Sequence, residues 1–344
     1  MLAQTIYEVN AIDAAQALSE IGYLLRQDPT ERFRAKAFSA AAWSIVLRKP
    51  DLEALRRTDS LTSLEGVGEG IARVLADVID TGQSRYLNRL REQFKQPARE
   101  DESDLDFDEY LGDIHSHTKW SDGRATMLEM AQGAQALGYS YLGITDHSPR
   151  ITVVHGLDAE RLVAQSREMA EVQNQVDGLT LFQGIEVDIL EDGSLDLPDA
   201  VLEILDLVIA SPHVKLRQDP AAMTERMLRA VSHPHVDVVG HPTGRRPGAR
   251  EGATYDFEAV FKEAARHGVA LEIDCDPARM DLSPEMARLA LECGCTFSVD
   301  ADAHAPAEFA YVPMGLWMAR RAGIPRERIL NFRPVRELTM ALER

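Results

Sequence analysis

Cysteine is scarce: Cys275, Cys293 and Cys295 are the only three in 344 residues, all late in the chain. An odd number of late thiols does not make a disulfide framework. They read as reduced, intracellular thiols packed in a core, and Cys293-Gly-Cys295 lacks the spacing of a zinc knuckle. No apolar run approaches bilayer length, and no basic segment precedes an apolar stretch at the start. The expectation is therefore a cytoplasmic protein with neither membrane span nor signal peptide. There is no low-complexity tract, and 45% hydrophobic content is enough for a full core. Positive charge is also in short supply: 37 Lys+Arg against 56 Asp+Glu give −19, which argues against a general nucleic-acid binder.

That charge is unevenly spread. Residues 1–100 hold 14 basic and 14 acidic residues, so the remainder, with 23 and 42, carries all of it. Acids that ligate divalent ions would invert the field locally.

Three regions follow. Residues 1–95 read as helices: "AIDAAQALSEIGYLLRQ" sets Ile12, Ala15, Leu18, Ile21 and Leu25 on one face. "RFRAKAFSAAAWSIVLR" and "GIARVLADVIDTG" are likewise amphipathic, the latter ending at Gly82 as a C-cap. Residues 96–111, "QPAREDESDLDFDEY" and Leu111, read as an acidic linker. From Gly112 to Arg344 short apolar runs alternate with helix-period segments. Candidate strands are "GDIH", "YLGITDH", "LFQGIEVDI", "LVIASPH", "VDVVGHP", "ALEIDCD" and "TFSVDADAH". Such alternation implies an α/β parallel sheet, closed as a βα barrel, with a doubly wound open sheet as the alternative.

In six of the seven candidate strands the polar residues gather at the C-terminal end: His115 and His117; Asp146 and His147; Glu186 and Asp188; His213; His241; Asp300, Asp302 and His304. Chemistry in parallel barrels collects on that rim because the following loops vary freely. One histidine there is ordinary; six of the ten point to a metal centre. His-x-His in a strand sends both imidazoles the same way. Mixed His/Asp/Glu without cysteine suits a catalytic cluster of zinc, manganese or iron. Several such ions together are a common device for phosphate-ester hydrolysis.

These motifs, "DIHSHTKWSDG", "GITDHS", "GIEVDILEDGSLDLPD", "LVIASPH", "TERMLRAV", "VVGHPTGR" and "VDADAH", resemble the PHP (polymerase and histidinol phosphatase) superfamily over roughly residues 110–335. They are most similar to the PHP domain of bacterial family-X DNA polymerases. The resemblance implies a distorted (β/α)7 barrel holding three divalent ions. One ion would take His115, His117, Glu186 and Asp302. A second would share Glu186 with His213 and His241, and a third would take Asp122, His147 and His304. The catalytic set expected is Glu186, Asp302, His304 and Asp146, the last orienting His147 or a neighbouring ligand, with Asp113 as a further orienter. Arg245 and Arg279 match basic positions of the family-X branch and are substrate candidates, as are Lys215 and His155. His233, His235 and His267 read as surface or helix-end residues.

"LTSLEGVGEGIARVLADVIDTG" resembles a helix-hairpin-helix, whose Gly66-Val67-Gly68 turn would offer backbone N–H groups to a DNA phosphate. The preceding stretch is similar to the small N-terminal domain of family-X polymerases. Its lyase lysine is missing: the aligned position is Val74, and Gly70 and Arg34 stand at positions of the 5′-phosphate pocket. Sixteen residues of linker also leave no room for a polymerase palm. The expectation is a phosphoesterase acting on DNA 3′ ends in repair, by 3′–5′ exonuclease or related cleavage, without polymerase or lyase activity. The alternatives are a small-molecule phosphatase and a repair-complex scaffold.

Overall fold

The structure, a computed structural model, describes residues 11–26, 28–48, 50–93, 105, 109–247 and 249–343. The chain divides into two units, residues 1–100 and 101–344.

The first unit is helical: α1 (Ala11–Arg26), α2 (Arg32–Arg48), α3 (Leu52–Arg57), α4 (Glu69–Thr81) and α5 (Arg85–Gln93). The face expected of α1 is inside, with Ala15, Leu18, Ile21 and Leu25 all buried. Each large apolar side chain so placed contributes roughly 1.5–3 kcal/mol. Asp51 caps α3 by accepting from Ala54 N at 2.8 Å. Gly82 ends α4 at φ +71°, a conformation that costs glycine nothing. Buried Glu20 of α1 receives both Arg91 of α5 nitrogens at 2.7 and 2.6 Å, a bidentate tie.

Most of the acidic run read as a linker, residues 96–104 and 106–108, lies outside the described residues. Its end belongs to the second unit. Tyr110 is buried and donates to Val299 O at 2.8 Å, so the barrel begins ahead of Gly112.

That unit runs β1 (Gly112–Asp113), α6 (Met127–Ala136), β2 (Tyr141–Ile144), α7 (Ala159–Gln173), β3 (Thr180–Asp188), α8 (Asp199–Leu202), β4 (Leu207–Ser211), α9 (Pro220–Val231), β5 (Val238–Val239), α10 (Phe257–His267), β6 (Ala270–Asp274), α11 (Pro284–Glu292), β7 (Phe297–Asp300), α12 (Val312–Ala322) and α13 (Val335–Leu342). Helix starts carry the expected caps. Thr126 and Glu129 form a capping box on α6; Asp158, Asp219, Asp256 and Ser283 cap α7, α9, α10 and α11.

All seven strands are parallel and paired in chain order, which makes the closed form the correct one of the two expected. Closure lies beyond the strand ends. Ser116 bridges Ala303, with His117 N to Ala303 O at 2.8 Å and Ala303 N to His115 O at 3.3 Å. Below, buried Asn331 fills the seam, donating to Gly112 O at 2.9 Å and accepting from Val299 N at 2.7 Å. Strand β5 keeps two residues of its seven-residue run because Gly240, His241 at φ +27° and Pro242 break the ladder.

The interior is graded. Ile114, Tyr141, Phe182, Leu207, Ile209 and Val238 form an apolar cluster with Leu330 and Leu338 of the C-terminal segment. The polar residues lie at the opposite, C-terminal ends of the strands. Among the described residues no helix is long and apolar enough to cross a membrane.

Candidate metal centre

Strand alternation carried past β1 brings the His115 and His117 rings to 5.2 Å from each other. Gly123 lets the next loop fold back, since a Cβ there would meet His117 O at 2.6 Å, and this returns Asp122 to the site. His147 follows β2 and bridges Glu186 of β3. His213, His241, Asp302 and His304 follow β4, β5 and β7.

Glu186 is the hub. Its Oε1 lies 2.8 Å from His241 Nε2, 3.0 Å from His213 Nε2 and 3.7 Å from His115 Nε2. Its Oε2 lies 2.7 Å from His147 Nδ1 and 3.6 Å from His117 Nε2. Asp302 Oδ1 is 2.9 Å from His117 Nε2, and Asp122 Oδ1 is 3.3 Å from His304 Nε2. All nine expected ligand positions thus converge. Three groupings have ligand atoms mutually within 4.8 Å: His117, Asp122, His147 and His304; His115, His117 and Asp302; His147, Glu186 and His213. The partition differs from the expected one in that His117 and His147 each join two groups, while His241 attaches through Glu186.

The donor set fits divalent cations. His115 Nε2, His117 Nε2, His213 Nε2, Glu186 Oε2 and Asp302 Oδ1 are buried without a hydrogen bond, although His117 Nε2 lies 2.9 Å from Asp302 Oδ1 and 3.6 Å from Glu186 Oε2 and His115 Nε2 lies 3.7 Å from Asp302 Oδ1. They aim at common points rather than along donor–acceptor lines. Orphaned polar atoms cost about 1–3 kcal/mol each, and cations at those points would satisfy them together. His241 at φ +27° and Asp302 at φ +48° hold left-handed backbone, strain of the kind kept at working sites.

An outer layer orients the rings. His115 Nδ1 meets Glu272 at 2.6 Å, His213 Nδ1 meets Asp188 at 3.1 Å, and His304 Nδ1 meets Asp302 O at 2.8 Å. Asp113 accepts from His115 N and Ala301 N at 2.9 and 2.8 Å, bracing β1 against β7. Glu272 was not among the sequence candidates. The signal was an acid inside the run "ALEIDCD", of which Ala270 to Cys275 are buried.

Asp146 acts on the neighbouring ligands through their loop rather than on the His147 ring. Its oxygens accept from Thr118 N and Oγ1, Ser121 N and Oγ, and Gln165 Nε2 at 2.5 to 3.1 Å. It therefore fixes the loop between His117 and Asp122.

Charge within the cluster is self-consistent. Burial opposes ionisation of Glu186, but His213, His147 and His115 outweigh it and hold the carboxyl well below the usual range. Asp302 is likewise held low by His115, His117 and Arg279 against its burial. Burial, then neighbouring positive groups, takes His117 and His241 down to about 3, leaving them neutral. His213 and His304 go the other way, to about 9, because Glu186 with Asp188 and Asp122 with Asp302 overcome burial.

A cavity of about 400 Å³ opens over the cluster, lined by Asp122, His147, His213, Asp302 and His304 and by Arg124, Arg246, Arg250 and Arg279. Of the substrate candidates, Arg279 is there, its Nε 3.2 Å from Asp302 Oδ2. Arg245 is turned away, its Nε donating to Met280 O at 2.9 Å, and neighbours Arg246 and Arg250 take the lining positions. Exposed Lys215 is not among the lining residues, and His155 lines a separate hollow with Lys119, Trp120 and Arg161. His233 lies near Asp199 at 3.3 Å, beside His235, and His267 ends α10 before Gly268.

In the first unit Gly66, Gly68 and Gly70 line a hollow of about 1100 Å³ with Arg34, Arg56, Arg73, Arg85 and Arg89. Arg56 and Arg85 are tied to Asp80 and Asp77, and Arg34 to Glu31 and to Tyr86 Oη at 2.6 Å. Val74 lines it, and among the described residues no lysine does.

A parallel barrel with nine histidine and carboxylate side chains converging at its C-terminal rim defines a metal-centred α/β-barrel protein. The PHP domain profile matches residues 113–275. A "Probable phosphatase" of Clostridium botulinum (strain Langeland) is 30% identical over 234 residues, 64% of this chain and 90% of that one. The DNA polymerase/3'-5' exonuclease PolX of Bacillus subtilis (strain 168) is 33% identical over 295 residues, 80% of this chain. The chain spans about half that relative's length (52%). The crystal structure of histidinol phosphate phosphatase from Lactococcus lactis, complexed with zinc, L-histidinol and phosphate, aligns at TM-score 0.44 and 15% identity. It covers 62% of this chain and 94% of that one. The chain belongs to the PHP-domain family.

Proposed function

We propose that this chain hydrolyses phosphoester bonds at DNA 3′ ends, as a 3′–5′ exonuclease or related 3′-end phosphoesterase in repair, with three divalent ions at the rim. Phosphoester hydrolysis is the class of reaction. The observation carrying it is the convergence of nine ligand-competent side chains beneath an arginine-lined cavity. Zinc, manganese or iron held there would bind phosphoryl oxygens and lower the pKa of water. The chain's own part is to hold Glu186 and Asp302 ionised, keep the His117 and His241 lone pairs free, and fix the other rings through Glu272 and Asp188.

DNA is favoured over a small substrate by the extent of likeness. The PolX match covers 80% of this chain, more than the second unit alone can supply, and so enters the helical unit. The phosphatase match covers 64%, no more than the barrel. In the helical unit, Gly66, Gly68 and Arg34 would meet the DNA backbone. With Val74 in place of a lysine, no lyase chemistry is assigned to it, and no polymerase activity is assigned to this chain. The second reading, a small-molecule phosphatase, draws on that 90% coverage of the phosphatase relative.

The test is a manganese- or zinc-supplemented assay on 3′-labelled single strands, duplexes and histidinol phosphate. Shortening from the 3′ end is expected. Turnover of histidinol phosphate with every DNA end intact would overturn the proposal in favour of the second reading.

A further inference from the structure

The cavity over the metal centre has a positive wall that the metal centre does not use. Arg246 and Arg250 come from one closed turn, in which Arg246 N donates to Arg250 O at 2.8 Å and Arg250 N to Arg246 O at 2.7 Å. That turn sets both side chains on the cavity with Arg279 and His213. Arg250 is steadied by its Nε and Nη2 donating to Gly244 O at 2.9 and 2.6 Å.

The other charges nearby are already engaged. Arg279 is committed to Asp302 and Asp274, and Arg124 to Glu308. Asp276 acts on Arg279, and Asp281 gives both oxygens to Thr243 at 2.9 Å. Among the described residues neither Arg246 nor Arg250 pairs with a carboxylate. Burial first, then repulsion from Arg246 and Arg279, disfavours the charge on Arg250. Arg246, Arg250 and Arg279 thus line one cavity, where Asp281 offsets only part of the penalty on the Arg250 charge, an arrangement that an external anion relieves. Ile151, Val154 and Tyr311 line the same cavity and offer apolar surface to an uncharged group.

We infer that Arg246 and Arg250 form a second phosphate site, so that the substrate carries an unreacted phosphate besides the one hydrolysed. This rests on phosphoester hydrolysis at the rim and narrows its substrate to compounds with two phosphates on a sugar–base scaffold, of which a nucleic-acid strand is the extended form.

The experiment uses thymidine 5′-monophosphate and thymidine 3′,5′-bisphosphate, which differ by one phosphate, titrated calorimetrically into the full manganese-loaded chain. The wild type should bind the bisphosphate at least about tenfold more tightly, the worth of one charge-assisted contact. R246A/R250A should bring the two ligands within about twofold of each other, and R246K/R250K should retain part of the preference. R246A alone, at an exposed side chain, should lose part of it without disturbing the turn. Equal affinities in the wild type, no binding of either ligand, or a preference that survives R246A/R250A would each overturn the inference. The DNA-end reading fails separately. Uncut 3′-labelled strands with the preference intact would remove that reading and leave the second site, whereas cut strands without the preference would do the reverse.

Discussion

The helical unit and the barrel both gather charged side chains around a hollow, but by different physical means. In the barrel most of the polar groups are buried and several of their atoms lack a hydrogen bond, five imidazoles lying within 3.7 Å of one carboxylate. Such a cluster is costly unless cations complete it, so its chemistry is specific. In the helical unit the arginines are largely solvated and several are paired, as Arg56 is with Asp80 and Arg85 with Asp77. Exposed pairs of that kind are worth little, so the hollow is suited to graded, sequence-independent attraction. On the proposed function, the barrel would be the seat of reaction and the helical unit a holder of backbone.

The sharpest way to break that division is Glu186→Ala. Removing the hub carboxylate leaves five rings without their common partner, and activity should fall roughly 10³-fold or more, together with most bound metal. Full metal content by elemental analysis would show that the centre is assembled differently. Next comes proton linkage. His213 and His304, raised to about 9, carry a proton at neutral pH, whereas ligation requires a free lone pair. Because the shift is upward, metal affinity should climb as pH rises and level off above about 9, by up to ~100-fold per unit when both groups exchange protons. Metal uptake near pH 7.5 should release about two protons in a weakly buffered titration. Uptake without proton release would mean that these rings are not ligands.

How much of this was legible beforehand depends on how unusual each residue is for its place. Six histidines at the ends of apolar runs stand out, because burying imidazole beside carboxylate is rare without a purpose. Strand order followed from the alternation of elements, and the closed barrel from its repetition. Glu272 escaped because an acid within "ALEIDCD" does not show which face of β6 turns inward; only the register beside Ser298 and the contact with His115 settle it. Arg245 and Arg246 are adjacent and chemically identical. The turn closed between Arg246 and Arg250 decides which faces the cavity, and that geometry depends on contacts distant in sequence. Asp146 was expected to orient His147 or a neighbouring ligand; that it does so through Thr118 and Ser121 of the loop between His117 and Asp122 depends on the fold of that loop and not on sequence spacing.

Glu272 offers a gentler test of the barrel half. Glu272→Gln keeps the shape and removes the charge opposite His115 Nδ1. Metal affinity should drop by about 10- to 100-fold, with the fold retained. Chelator competition unchanged from wild type would assign Glu272 to packing alone.

The smallest expected effect tests the other half. Residues 1–100 are electrically neutral overall, so on the proposed function their attraction for DNA would come from local placement rather than net charge. Arg34, Arg73 and Arg89 would meet phosphates one at a time, and the open backbone at Gly68, where a Cβ would find nothing within 4 Å, would let a strand approach closely. A handful of such contacts is salt-sensitive and modest. Deleting residues 1–100 should therefore lower kcat/KM on 3′-labelled DNA by about tenfold at moderate salt, with a shallower salt dependence. A chromogenic phosphodiester, with no strand to hold, should be cleaved at the wild-type rate. Equal loss on both substrates would mean that the helical unit supports the barrel's stability, and the division into a holding unit and a reacting unit would fall.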